Sequence, residues 1–330
     1  MPLGQGVYLG IDVGSVSTNF VLVDPGRPPG DDVVWKKYLR TLGAPVETLK
    51  AGLQAIEEEG QWHILGVGTT GSGRELAGAM LNADVVKNEI TAHAVAALSQ
   101  NPRVSTIIEI GGQDSKIIIL RDGVIVDFAM NTVCAAGTGS FLDQQASRLS
   151  IPIERFGPLA LESTNPVRIA GRCTVFAESD MIHKQQLGHR MPDILAGLCS
   201  AMVRNYLSNV AKGKSLQSPV FFQGGVAANV GMQRFFAETL GLSILIPRHF
   251  DVMGAIGIAQ IVKETLEATG QSTNFAGLGV RRSEFLNKGY VCERCPNQCE
   301  IVEIWREGIF LASWGSRCGR SNLCDIMEGS

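Results

Sequence analysis

The chain has 330 residues, beyond the ~250–300 at which a single core stops growing, so two domains are expected. Apolar residues make up 45% and charged residues 18%, which is enough to bury large cores and excludes a disordered chain. The formal net charge of −3 leaves no electrostatic footprint for nucleic acid.

Residues 1–6 have neither a charged n-region nor an apolar h-region, so no secretory signal is read. No stretch approaches ~18 consecutive apolar residues, so no transmembrane helix is expected, and a cytoplasmic location follows. In a reducing compartment the eight cysteines read as metal ligands, redox groups or buried hydrophobes rather than as disulfides. Residues 7–24 read as two buried strands, the first ending near Asp12 and the second beginning near Thr18 or Asn19. A helix over 46–59, a strand over Ile64–Val67 and an Ala-rich helix over Thr91–Gln100 follow. Residues 106–128 repeat the opening pattern of apolar strand, acid, Gly-rich turn and apolar strand, with Asp122-Gly123 turning into a third strand. Two such units about 100 residues apart predict two similarly built halves. Further elements are a helix from about Gly139, a helix around 193–211, strands at 219–225 and in SILIP, and helices at 229–240 and 253–268. Residues 271–289 read as a linker, and five cysteines lie beyond it. The expected division is 1–90 as one half, closed by the 253–268 helix, 91–270 as the other, and 271–330 as a linker and Cys-rich extension.

The loop Asp12-Val13-Gly14-Ser15-Val16-Ser17-Thr18 joins a strand to a strand, which excludes the dinucleotide fingerprint, whose loop opens a helix. Gly213-Lys214-Ser215 resembles the end of a Walker A loop, but position 208 is Ser208 rather than glycine, and Gly68–Gly73 lacks the following lysine. What remains is a hairpin turn that offers backbone N–H groups to phosphate oxygens. Asp12 at its strand end is placed to hold Mg²⁺ through water. Glu109-Ile110-Gly111-Gly112-Gln113-Asp114 is expected to clamp the phosphates from across a cleft, with Gln113 or Asp114 orienting a water or metal. Gly224-Gly225-Val226 to Asn229 ends a strand and opens a helix, and its glycines suit an adenosine ring. Gly254 falls in a further glycine pair, Gly254–Gly257, where nucleotide or a hinge is expected. With these turns in this order the chain resembles the actin/Hsp70/sugar-kinase superfamily. That resemblance implies an α/β fold of two ribonuclease H-like halves, mixed sheets flanked by helices, binding ATP or ADP.

Cys134 and Cys173 each precede a helix, whose positive N-terminal end stabilises a thiolate or an anionic cluster. Two cysteines are too few for a four-thiolate cubane in one chain, whereas a C₂ dimer supplies four around its axis. CAAGTGSFLD, GRCTVFAESD, EIGGQDSK and QGGVAANVGM resemble the ATPase family that activates 2-hydroxyacyl-CoA dehydratases and benzoyl-CoA reductases, over roughly residues 7–268. The resemblance implies a homodimer with one [4Fe–4S] cluster between subunits, held by Cys134 and Cys173 of each. It implies ATP-driven, low-potential electron donation to a partner iron–sulfur enzyme, with a ferredoxin or flavodoxin as donor. A double-cubane cluster protein is one such partner. Cys199, mid-helix, reads as core. ATP cleavage is expected to change the angle between halves and so lower the cluster potential.

Cys292, Cys295, Cys299 and Cys318 flank an expected hairpin over 300–314 and resemble a zinc ribbon, with Cys324 spare. A second iron–sulfur cluster is the competing reading. The competing functions are a small-molecule kinase of sugar type, with Asp114 or Glu109 as base, and a non-catalytic ATP-dependent scaffold.

Overall fold

A computed structural model describes residues 5–131, 134–171 and 173–318. The chain forms two compact units: one runs to Ala92 and resumes at Gly254, and the other is His93–Met253.

The first unit holds β1 (Gln5–Val13), β2 (Ser17–Val23), β3 (Val33–Arg40), α1 (Pro45–Glu59), β4 (Trp62–Thr70), α2 (Arg74–Leu81) and β5 (Val85–Val86). After α3 (Glu89–Gln100), the second holds β6 (Thr106–Ile110), β7 (Ser115–Arg121), β8 (Val124–Asn131), α4 (Gly139–Arg148) and α5 (Ile153–Leu161). It continues with α6 (Thr174–Gln186), α7 (Met191–Asn209), β9 (Val220–Gln223), α8 (Val230–Leu240) and β10 (Ile244–Leu245). The chain then returns to the first unit through α9 (Met253–Thr269), β11 (Phe285–Val291), β12 (Glu300–Arg306) and β13 (Ile309–Trp314).

The two large sheets have one plan. The first is ordered β3-β2-β1-β4-β5 and the second, read the same way, β8-β7-β6-β9-β10. In each, the first two pairings are antiparallel and the last two parallel. The expectation of two similarly built halves is met strand for strand. Val7, Leu9, Ile11 and Val13 of β1 face a core shared with Leu49, Leu53 and Ile56 of α1. On the other face of the sheet, glycines make room for α9. A Cβ at Gly10 would strike the Ala255 carbonyl, and one at Gly66 or Gly68 would strike Val262. Gly10 therefore serves helix packing, and Gly257 does likewise, since a Cβ there would meet the Ala92 carbonyl. The second unit's core joins Ile108, Ile110 and Ile117 to Phe156, Leu195, Tyr206 and Phe236.

The segment expected to be a linker is ordered. Residues Leu278–Arg282 form a 3₁₀ turn and β11 begins at Phe285. The three-stranded sheet β11-β12-β13 is antiparallel. Val280 and Ile304 lie in the same core as α1 and β1, with Leu311 and Trp314 packed against it. The extension is thus part of the first unit. Among the described residues no helix is long and apolar enough to cross a membrane.

Candidate nucleotide turns and cysteine segments

The first candidate phosphate turn is closed by the Gly14 N–H donating to the Ser17 carbonyl at 2.8 Å. Thr41 braces it, donating from its hydroxyl to the Gly14 carbonyl at 3.0 Å and from its N–H to the Val16 carbonyl at 2.8 Å. Ser15 is exposed at the tip, Val16 and Ser17 are half-buried beside it, and Thr18 is buried at the base. Strand register sets Asn19 and Thr70 on either side of half-buried Asp12. Both flanking residues are buried, yet Asn19 Oδ1 and Thr70 Oγ1 have no hydrogen-bond partner among the described residues. Buried polar atoms without partners cost stability, and here they bracket the carboxylate that would carry Mg²⁺ through water. The Gly68–Gly73 loop, set aside in the sequence as a failed Walker A, belongs to this site. Gly71 has φ +87°, a Cβ there would collide with the Asp12 carboxylate, and the Gly73 N–H donates to the Val13 carbonyl at 2.8 Å. Its glycines were the available signal.

The second turn is closed by the Gly111 N–H donating to the Asp114 carbonyl at 3.0 Å. Gln113 is exposed at its tip and Gly112 half-buried. Lys116, missed in the sequence, is the centre of its electrostatics. Its Nζ lies 3.1 Å from Glu109 Oε2 and 2.7 Å from Asp114 Oδ2, with both the lysine and Glu109 buried. Burial works against the lysine charge, but the two carboxylates prevail and hold its pKa above the ordinary range. The Glu109 carboxylate is therefore engaged by a cation, while Asp114 and Gln113 reach solvent. Gln223 Nε2 donates to His93 Nδ1 at 2.8 Å. Burial and the neighbouring Lys116 charge push the His93 pKa down to about 3, so the imidazole is neutral at pH 7.

Gly224 leaves β9 with φ +85°, where a Cβ would strike the Ile110 carbonyl and the Glu109 carboxylate. Gly225–Ala228 is a 3₁₀ turn with Val226 buried, and Asn229 caps α8 by accepting from the Met232 N–H at 3.1 Å. Gly254 is buried in the first turn of α9, in the first unit.

The cysteine segments are tied to the second unit's frame. Cys134 caps a single 3₁₀ turn, Ala135–Gly137, and α4 starts only at Gly139. The helix expected from about Gly139 is there, and Cys134 precedes it by one turn. Asn131 clamps this cysteine, accepting its N–H at 3.0 Å and donating to its carbonyl at 2.7 Å. At the start of α4, the Gly139 N–H donates to the Gly111 carbonyl at 2.8 Å. The Ser140 N–H and hydroxyl donate to the Gly112 carbonyl at 2.8 and 2.6 Å. The helix after Cys134 is thus bonded directly to the second phosphate turn. Cys173 is the N-cap of α6, as expected. Buried Asn205 donates to the Gly171 carbonyl at 2.5 Å, and its Oδ1 is what a Cβ at Gly137 would meet. One side chain of α7 therefore touches both cysteine segments. Cys134 and Cys173 are half-buried, while Cys199 is buried in α7 with its thiol pushed up to about 12 by burial.

In the extension, Cys292 follows β11 and Cys299 precedes β12. The Cys292 N–H donates to the Cys299 carbonyl at 2.8 Å, and the two side chains pack with Ile301. The Gln298 N–H donates to the Cys295 carbonyl at 3.2 Å, and the Arg317 N–H to Cys299 Sγ at 3.4 Å. Cys318 follows, exposed, and Cys324 lies outside the described residues. Among the described residues no three His, Cys, Asp or Glu side chains are grouped to hold a metal ion. The N–H donated to Cys299 suits a thiolate, and the donor set of four cysteines is the chemistry of zinc or an iron–sulfur cluster.

The (R)-2-hydroxyglutaryl-CoA dehydratase activating ATPase of Acidaminococcus fermentans is 33% identical over 256 residues, covering 76% of this chain and 95% of that one. The activator of lactoyl-CoA dehydratase of Anaerotignum propionicum is 33% identical over 262 residues, covering 78% and 98%. The solved activator of the 2-hydroxyisocaproyl-CoA dehydratase from Clostridium difficile, with bound ADPNP, superposes with a TM-score of 0.71 at 31% identity, covering 80% of this chain and 97% of that one. The model of the BadF/BadG/BcrA/BcrD ATPase family matches residues 9–262, and the chain belongs to that family.

Proposed function

We propose that this ATPase is an activator that couples ATP hydrolysis to low-potential electron donation to a partner iron–sulfur enzyme, of the dehydratase or reductase type that its relatives serve. The observation that carries this reading is the set of three hydrogen bonds joining the start of α4 to Gly111 and Gly112. A change at that phosphate turn moves the helix that follows Cys134.

In this reading the Gly14–Ser17 turn binds phosphate oxygens through backbone N–H groups, and Asp12 holds Mg²⁺ through water. Gly111 and Gly112 bind phosphate in the second unit, with Gln113 or Asp114 orienting the attacking water. Gly224–Asn229 receives adenosine. Glu109 and Lys116 hold the second turn's shape and limit its negative charge. Cys134 and Cys173 would bind a [4Fe–4S] cluster. With two thiolates per chain, the remaining ligands come from a second copy, making a homodimer. When bound, that cluster stores and passes one electron, supplied by a ferredoxin or flavodoxin. Cys292, Cys295, Cys299 and Cys318 would hold Zn²⁺, which suits a small sheet of this size. The reading places the protein in the cytoplasm.

The test is anaerobic purification followed by iron, sulfide and zinc quantification. Roughly four irons per dimer are expected from four cubane thiolates, lost in Cys134→Ser and Cys173→Ser while ATP binding persists. A colourless, iron-free protein that hydrolyses ATP would overturn the electron-transfer role. Zinc retained in Cys292→Ser and Cys299→Ser would overturn the assignment in the extension.

A further inference from the structure

The second unit contains a concave site that the ATPase reading does not use. It is a cavity of about 900 Å³ beside the segment that leads to Cys173. Arg168, Lys184 and Arg204 line it together with His183, Asp180 and Asn205. None of these belongs to the Gly14–Ser17, Glu109–Asp114 or Gly224–Asn229 turns.

The charges in this cavity do not balance. Its one carboxylate, Asp180, accepts the Ala170 N–H at 2.8 Å. Arg204 donates to Ser200 Oγ and to the Ile169 carbonyl, both at 2.7 Å. These neutral acceptors orient the guanidinium without neutralising it. Among the described residues the Arg168 and Lys184 side chains make no ion pair, and Arg168 and Arg204 both reach solvent at the cavity mouth. Burial, then repulsion from Arg168, lowers the Arg204 pKa below its ordinary value. His183 and Lys184 lie in the last turn of α6, where the helix dipole favours cations. The two arginines have no such compensation.

Two guanidiniums that repel each other across a cavity are stabilised by an anion that accepts from both forks. The volume is in the range of small-molecule sites and well beyond one tetrahedral ion. We propose that this cavity binds a phosphorylated small molecule, with Arg168 and Arg204 gripping its phosphate and Lys184 completing the charge. Occupancy would also steady the 169–171 strap. Each of its residues is already held by a side chain from the cavity wall: Ile169 by Arg204, Ala170 by Asp180 and Gly171 by Asn205.

Inorganic pyrophosphate is the probe, titrated calorimetrically into the full chain saturated with Mg²⁺ and a non-hydrolysable ATP analogue, so that the nucleotide turns are filled. One further site per chain is expected. Affinity should fall at least tenfold in Arg168→Ala with Lys184→Ala, and at least threefold in Lys184→Gln alone. Amide hydrogen exchange across residues 168–171 should slow on binding in the wild type and not in the double variant. The absence of heat beyond that of pyrophosphate titrated into the same Mg²⁺–nucleotide buffer overturns the proposal, as does binding that survives the double substitution. Because no iron measurement enters, this outcome is independent of the electron-transfer reading.

Discussion

Replacing Lys116 tests whether the second phosphate turn is held by a buried ion pair. Charges 3.1 Å apart, as Lys116 Nζ and Glu109 Oε2 are, attract by about 5 kcal/mol at an effective dielectric constant of ~20. Desolvation of both groups offsets most of that, so the pair itself contributes little. Breaking it is a different matter, because Lys116→Met takes the neighbouring cation from the buried Glu109 carboxylate, at a cost of about 3–5 kcal/mol. Asp114, with its side chain 36% exposed, reaches water and adds little. The expected result is a loss of about 3–5 kcal/mol in urea unfolding for Lys116→Met. At least half should be recovered when Glu109→Gln is added, because the stranded charge is then gone. The native lysine pKa lies above its unfolded value, so its contribution is fully present below the unfolded pKa of ~10.4 and is lost only as pH rises through the native value. A single variant within 1 kcal/mol of wild type, or a double variant no better than the single, would refute the reasoning.

His93 should make the protein acid-sensitive. Its native pKa of about 3 lies below the unfolded ~6.5, so stability is full above pH 6.5 and falls by about 1.4 kcal/mol per pH unit as pH drops toward 3. His93→Gln should flatten that slope by this amount in urea midpoints measured from pH 7 to 5. Thr70→Val removes a buried hydroxyl that bonds nothing among the described residues. Its melting temperature should be unchanged or higher, while calorimetric affinity for Mg²⁺–ATP should fall about tenfold; a loss of more than ~2 kcal/mol in stability would show that the hydroxyl has a structural role. Truncation after Gly270 strips Val280 and Ile304 from the first unit's core. At ~1.5–3 kcal/mol per buried side chain, thermal unfolding should reveal a loss of roughly 3–6 kcal/mol, and a truncated chain as stable as the full one would contradict the shared core.

The repeat of strand, acid and Gly turn at residues 7–24 and 106–128 exposed the two-half plan, because β1, β2, β6 and β7 are buried on two faces and read as apolar runs. β3 was illegible for the opposite reason: VVWKKYLR mixes two lysines and an arginine into an edge strand with alternating exposure. β11 is almost wholly exposed, apart from half-buried Phe285 at its start, and carried no pattern against the linker reading. In the site, Asp12, Gly111 and Gly224 were readable because their turns demand those residue types. Lys116 was not, since its partners Glu109 and Asp114 are set by hairpin register and by burial that only the folded unit supplies. Asn131 and Asn205 are ordinary polar residues in sequence and acquire meaning only from the carbonyls they meet.

The bed of glycines under α9 has a consequence for synthesis on the ribosome. Gly10, Gly66 and Gly68 wait for a helix encoded after the whole second unit. At ~5–20 residues per second, the stretch from His93 to Thr269 takes roughly 10–35 s to be made. Throughout that interval the leading sheet has an uncovered face, while His93–Met253 is contiguous and able to fold as it emerges. The unit encoded first is therefore the last to close, and the nascent N-terminal strands are where a holding chaperone would be needed.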